Sequence, residues 1–212
     1  MQLVLPFFFG FLAATVGVSP PGLLNMTAVK VSVKDGKIRG LWFAFGASVI
    51  VFLQTLSAVY FARFINKRAD VSYLLQEIGF VIFVLLTIYF FWVAKKPQSE
   101  KKEEELKLKS KKSRFFMGVL LSSLNVFPVP YYVFISVTLA SYGYFHFDVY
   151  YLYTFSLGTA IAAFIVFYWY ILFFEKQQIT SSFLMKNINY IIGSITGVVA
   201  LITLLKLVKH LF

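Results

Sequence analysis

Two stretches of this chain gather proline, amide and hydroxyl side chains inside sequence that is otherwise apolar: VSPPGLLN at 18–25 and NVFPVPYY at 125–132. Neither contains a charge, a histidine or a cysteine, so neither suits nucleophilic, acid–base or metal chemistry. What they offer is opened backbone. Proline has no N–H and clashes with the carbonyl one turn back, which leaves helix carbonyls without donors. In hydrocarbon such groups are tolerated only where protein or a wet cavity satisfies them. Ser19, Pro20, Pro21 and Gly22 make the first break, followed by Asn25; Asn125, Pro128, Pro130 and Tyr131 make the second. Freed carbonyls, helix-end dipoles and neutral amides can hold a small polar molecule without burying a formal charge. Taken singly, either break has a plainer role as a kink that shapes packing.

A few further residues carry chemistry at membrane depth. Gln54, near the middle of an uncharged run at 40–62, both donates and accepts; it suits a substrate contact or a bond between helices equally well. Asn25 and Asn125 suit either a substrate's charged ends or the capping of broken helix. Tyr131 and Tyr132 directly follow Pro130, and in a chain with 13 tyrosines packing accounts for at least one of them. Glu77 is the one acidic residue placed inside an expected span; buried, it suits proton carrying, and at headgroup level it is a surface charge. Lys30 and Lys34 read as topology-setting charges.

Enzymatic signatures are missing. His146 falls in a loop and His210 near the end, with no HExxH, GxSxG, GxGxxG or P-loop pattern. With no cysteine there is no thiol relay and no cysteine-based metal site. No catalytic residue, cofactor or metal is expected.

These residues must be positioned by apolar helices. The chain of 212 residues is 59% hydrophobic and 20% aromatic, above the roughly 45–50% apolar content of soluble domains. No Lys, Arg, Asp or Glu occurs at 1–29, 40–62, 78–94, 115–147, 149–174 or 187–205. Each run approaches or exceeds the roughly 20 residues that cross a hydrocarbon core. The expected fold is an all-α polytopic membrane protein with six helices at 3–29, 40–62, 72–94, 115–141, 149–174 and 187–209, the first and fourth broken at their prolines. The N-terminal run lacks a basic leader and a cleavage site, so 3–24 reads as a retained span.

The halves echo each other. Gly10 precedes Pro20 by the same ten residues that separate Gly118 from Pro128, Gly46 has a counterpart in Gly158, and QEIGFVIFVLLTIYFF (76–91) aligns with NYIIGSITGVVALITLL (189–205). Three spans per copy is an odd number, so the copies cross the membrane in opposite senses. The expected organisation is a three-helix repeat at 1–94, a charged linker at 95–114 and a second, inverted repeat at 115–212. Paired interruptions in such repeats point to a substrate site where the repeats meet.

The formal net charge of +11 does not imply nucleic acid, because the basic residues crowd into connections. The segments 30–39, 95–114 and 175–186 hold 15 of the 20 Lys and Arg, and the opposite side holds 5. That bias puts both termini outside and the linker in the cytoplasm.

The run SPPGLLNMTAVKVSVKDGKIRG (19–40) resembles the proline-glycine signature and following basic loop of the LysE-type amino-acid exporter family. Spans 72–94 and 187–205 also resemble that family's third and sixth helices. The resemblance implies a six-helix secondary exporter of amino acids or similar small metabolites in a bacterial inner membrane, driven by the proton gradient. The implied partners are a small zwitterionic or amino-acid-like substrate and the lipid bilayer, with a homodimer left open. Two departures stand out. Asn125-Val126-Phe127-Pro128 replaces the family's Asn-Pro-Lys triplet, and Ala47 and Ser48 follow Gly46 where an acidic residue is usual. They leave room for a second reading, a membrane-embedded assembly or regulatory subunit that keeps the fold without transporting.

Overall fold

The computed structural model of the protein describes residues 4–66 and 110–175, together with isolated positions between 81 and 92 and between 190 and 205. Most of the third and sixth expected helices, Glu77 and most of the 95–114 linker lie outside the described residues. Among those described, the regular elements are helices: α1 (Val4–Val18), α2 (Leu23–Asp35), α3 (Lys37–Asn66), α4 (Lys111–Leu124), α5 (Pro128–Ser141) and α6 (Val149–Glu175). Among the described residues, two helices are long and apolar enough to cross a membrane, over Lys37–Ile65 and Val149–Phe173. The count rises to 4 if α1 with α2, and α4 with α5, each form one bent span.

The chain divides into two compact units. One comprises Met1–Ala62 and Glu100–Thr180; the other comprises Arg63–Ser99 and Ser181–Phe212. In the second, the Phe91 and Tyr190 rings lie 6.0 Å apart, and the Thr87 side chain rests against Gly197. The first unit contains both interruptions.

The helix ends follow backbone hydrogen bonding rather than hydropathy. Charge at Lys30, Lys34 and Asp35 places the end of the first span at 29 in the sequence, yet α2 continues to Asp35. It stops at Gly36, whose φ of 97° suits a residue without a Cβ, and whose N–H donates to Ser32 O at 3.0 Å. Helix α3 begins at once, its early N–H groups at Arg39 and Gly40 donating to Gly36 O. Ser110 caps α4 by accepting from the Ser113 N–H at 3.2 Å. The last turn of the expected linker is therefore helix, and Arg114 within it is buried.

Small residues let the helices approach closely. A Cβ built on Gly10 or Gly158 would stand under 3.0 Å from the carbonyl oxygen of Phe155 or Phe7, which joins α1 to α6. One on Gly46 or Gly118 would meet the carbonyl of Phe115 or Phe43 in the same way, which joins α3 to α4. Lipid offers no hydrophobic drive to bring helices together, so close packing of backbones is what holds such crossings. Ala14, Ala28, Ala44, Ala47, Ala162 and Ala163 continue these seams, and Phe43, Phe155, Phe167 and Tyr132 fill the space between them. Below the α5–α6 turn, buried Phe145 packs edge-on against Phe155 with ring centres 5.2 Å apart.

Candidate functional site

The first interruption follows from two missing donors. The Ser19 N–H still donates to Thr15 O at 3.1 Å, but Pro20 and Pro21 have no N–H to offer the next carbonyls. The chain then runs extended through Gly22, and α2 leaves at a bend of 79°. Asn25, in the first turn of α2, reaches back across the gap. Its Nδ2 donates to Val18 O at 2.7 Å and to Pro20 O at 2.9 Å. The Tyr170 hydroxyl of α6 donates to Ser19 O at 2.6 Å. The Ser19 hydroxyl donates back to Thr15 O. Asn25 is buried at 3% exposure, so these bonds replace water that the site excludes.

The second interruption is built differently. Helix α4 ends as the Asn125 N–H donates to Ser122 O at 3.1 Å, and α5 departs at a bend of 65°. Pro128 and Pro130 lie in the first turn of α5, where a helix N–H needs no intrahelical acceptor. The donor to the freed carbonyls comes from another helix. Gln54 Nε2 of α3 donates to Ser122 O at 3.1 Å and to Asn125 O at 2.8 Å. The Ser122 hydroxyl donates to Ala47 O at 3.2 Å. Two carbonyl acceptors fix the orientation of the Gln54 amide, leaving Oε1 buried without a donor among the described residues.

Tyr131 joins the two regions. Its hydroxyl donates to Ala13 O at 2.8 Å, and its ring lies against Gly17, the turn of α1 that leads into the first break. Pro21 is buried, Pro20, Gly22 and Pro128 are half-buried, and Ser19, Asn125 and Pro130 are exposed. The structure thus uses Asn25 and Gln54 to close backbone, while Asn125 is exposed and its carboxamide makes no hydrogen bond among the described residues. Glu77 lies outside the described residues.

Sequence reasoning missed three contributors. Tyr170 was one aromatic among many until the fold set it against Ser19. Thr55 and Thr159, both fully buried, share a hydroxyl–hydroxyl bond of 3.0 Å between α3 and α6. Arg114 forms a buried ion pair with Asp35. Two uncharged spans each carrying a mid-span threonine were the available signal for the Thr pair; nothing local marked the other two.

A cavity of about 510 Å³ opens between α3 and α6, lined by Phe45, Phe52, Leu157, Phe164 and Ser48 among others. None of the sequence-predicted site residues lines it. The Ser48 hydroxyl is already donated to Ala44 O at 2.8 Å, so this cleft offers a zwitterion no polar partner.

A family model described as LysE type translocator matches residues 15–207. Neither a curated protein nor a solved structure matches the chain.

Proposed function

The chain belongs to the LysE type translocator family, and from that premise we propose that it is a secondary carrier exporting an amino acid or similar small zwitterion across a bacterial inner membrane, coupled to the proton gradient. Membership makes it a membrane transporter of small molecules; the substrate class, the coupling and the site are our reading. The observation that carries the site is the pair of interruptions, each closed by one side-chain amide that donates to two carbonyls. Ser19, Pro20, Pro21, Gly22, Asn125, Pro128, Pro130 and Tyr131 line the region, and Asn25 and Gln54 hold its broken backbone in place. Gln54 Oε1, a buried acceptor without a donor among the described residues, is offered to the substrate ammonium, and the exposed Asn125 amide to its carboxylate. Glu77 is the proposed proton carrier.

An inverted repeat underlies this reading. Gly10 and Gly118 are 108 positions apart, as are Phe7 and Phe115; Gly46 and Gly158 are 112 apart, as are Phe43 and Phe155. Applying those offsets turns the Gly10–Phe155 and Gly158–Phe7 approaches into the Gly118–Phe43 and Gly46–Phe115 approaches. Such an exchange of partners supports two related three-helix halves, 1–94 and 115–212, joined by the 95–114 linker. Alternating access is then a rocking of one half against the other around a fixed site. The excess of Lys and Arg in the intervening segments supports termini that face outward.

The test is export from proteoliposomes loaded with the proteinogenic amino acids under an imposed proton gradient. Wild-type protein is expected to release one of them, and Asn25→Ala, Gln54→Ala and Asn125→Ala to slow that release. Survival of export in all three variants removes the site assignment. An intact, folded protein with no gradient-dependent flux favours the assembly-subunit reading instead.

A further inference from the structure

Asp35 is the last residue of α2 and Arg114 lies in the first turn of α4, and their side chains form an ion pair with only 1% and 7% exposure. Each charge sits at the wrong end of its helix. A carboxylate at a C-terminus and a cation at an N-terminus are both disfavoured by the macrodipole, so neither helix alone would recruit them. Burial adds a second cost. Taking two ions out of water often offsets their attraction, and an apolar pair of the same size would hold the helices as well or better.

The surroundings leave the contact incompletely satisfied. The Ser32 hydroxyl and the Nε atoms of Arg39 and Arg114 are buried without acceptors among the described residues. Arg39 instead donates through Nη1 to the Asp35 carbonyl at 2.6 Å, which ties α3 to the end of α2 across the single-residue joint at Gly36. A contact like this is favourable while shut and loses little when parted, because both ions regain water, which also screens the unfavourable helix-end dipoles. A gate needs two states of comparable free energy, and a costly buried pair that regains water on parting suits that balance.

The placement fits a gate as well. Two expected spans separate Asp35 from Arg114, an even number, so both lie on one face, the face reached by the segments richest in Lys and Arg. They join the helix that follows the first interruption to the helix that precedes the second. Resting on the carrier reading above, we propose that the Asp35–Arg114 pair is the cytoplasmic gate, closed in this structure, and that it parts to admit substrate from the cytoplasm.

The absence of native cysteine allows a direct test. Ser32→Cys, one turn before Asp35 and 2% exposed in the parent, serves as the reporter in inside-out membrane vesicles. Labelling by a membrane-impermeant maleimide is expected to be slow in S32C and about tenfold faster in S32C/D35N/R114Q, as a modest shift toward the open state would give. An unchanged rate in a variant that purifies and melts like the parent overturns the gate. If the neutral pair does not fold, S32C/R114K, which keeps charge but loses the planar fork, is expected to label at an intermediate rate; a parental rate overturns the proposal equally. Linking D35C to R114C with a short bismaleimide is expected to stop amino-acid release that the same variant shows after monofunctional maleimide, and continued release overturns the gate. Faster labelling with no flux of any amino acid would support the gate and count against the carrier reading, so the two fail separately.

Discussion

The two interruptions reach the same end by different routes. At 19–22 the prolines sit in the gap itself, and two carbonyls that the break leaves open, Val18 O and Pro20 O, are met by Asn25, five to seven residues away. At 125–127 the prolines begin the next helix, and the carbonyls are met by Gln54, separated by 68 and 71 residues. The first break is mostly closed by its own sequence, with Tyr170 added from α6. The second has one local bond, from the Asn125 N–H to Ser122 O, and gains its side-chain donor only when α3 packs against α4. The amide contact at the second break thus depends on one helix pair staying packed, whereas the first carries its cap on its own chain.

That contrast can be broken at several points, and the largest effect is expected where the helix pairs themselves are held. Gly118→Leu would drive a side chain into the Phe43 carbonyl and Gly10→Leu into that of Phe155. Each is expected to cost about 3 kcal/mol or more, read as loss of the monodisperse peak and a lowered melting temperature in detergent. Equal losses at the two glycines would fit equivalent crossings; a large loss at one alone would end the equivalence.

Asn25→Leu should come next, at about 2 kcal/mol, since it leaves two carbonyls without donors in a site that excludes water. Thermal melting measures it, and Asn25→Asp should not rescue, because a carboxylate only accepts. Gln54→Leu is expected to cost less, about 1 kcal/mol, because the change also removes the unpartnered Oε1 and one released carbonyl lies at exposed Asn125. Combining the two variants sharpens the comparison. Independent breaks give additive losses within about 0.5 kcal/mol, and a larger departure shows that they answer to each other. The smallest effect belongs to Tyr170→Phe, below about 1 kcal/mol, since Ser19 is exposed and water can replace the hydroxyl. A loss as large as that of Asn25→Leu would mean that the first break depends on its neighbour after all.

Much of this was written locally. Uncharged runs of this length announce helices in lipid, because a helix satisfies every backbone group within one segment where an unpaired group is costly. Pro20 and Pro21 announce a gap for the same reason, and Asn25 lies close enough in sequence to be named as its cap. Hydropathy misjudged where helices end: it stopped the first span before Lys30 and assigned Arg114 to a solvated linker, whereas α2 runs to Asp35 and Arg114 is buried against it. Charge tells where a residue would prefer to be alone, and it is silent about a partner 79 positions away.

Sequence by itself determined the helical membrane character, the places where backbone bonding must fail, and membership in a translocator family. Those depend on local chemistry, the missing proline N–H and the cost of an unpaired carbonyl in oil. Tertiary structure alone decided which amide closes the second break, which glycine faces which carbonyl, and that Asp35 meets Arg114. Such pairings are set by how helices pack across long sequence separations, and a donor or an ion has no way to specify its distant partner until the packing brings the two together.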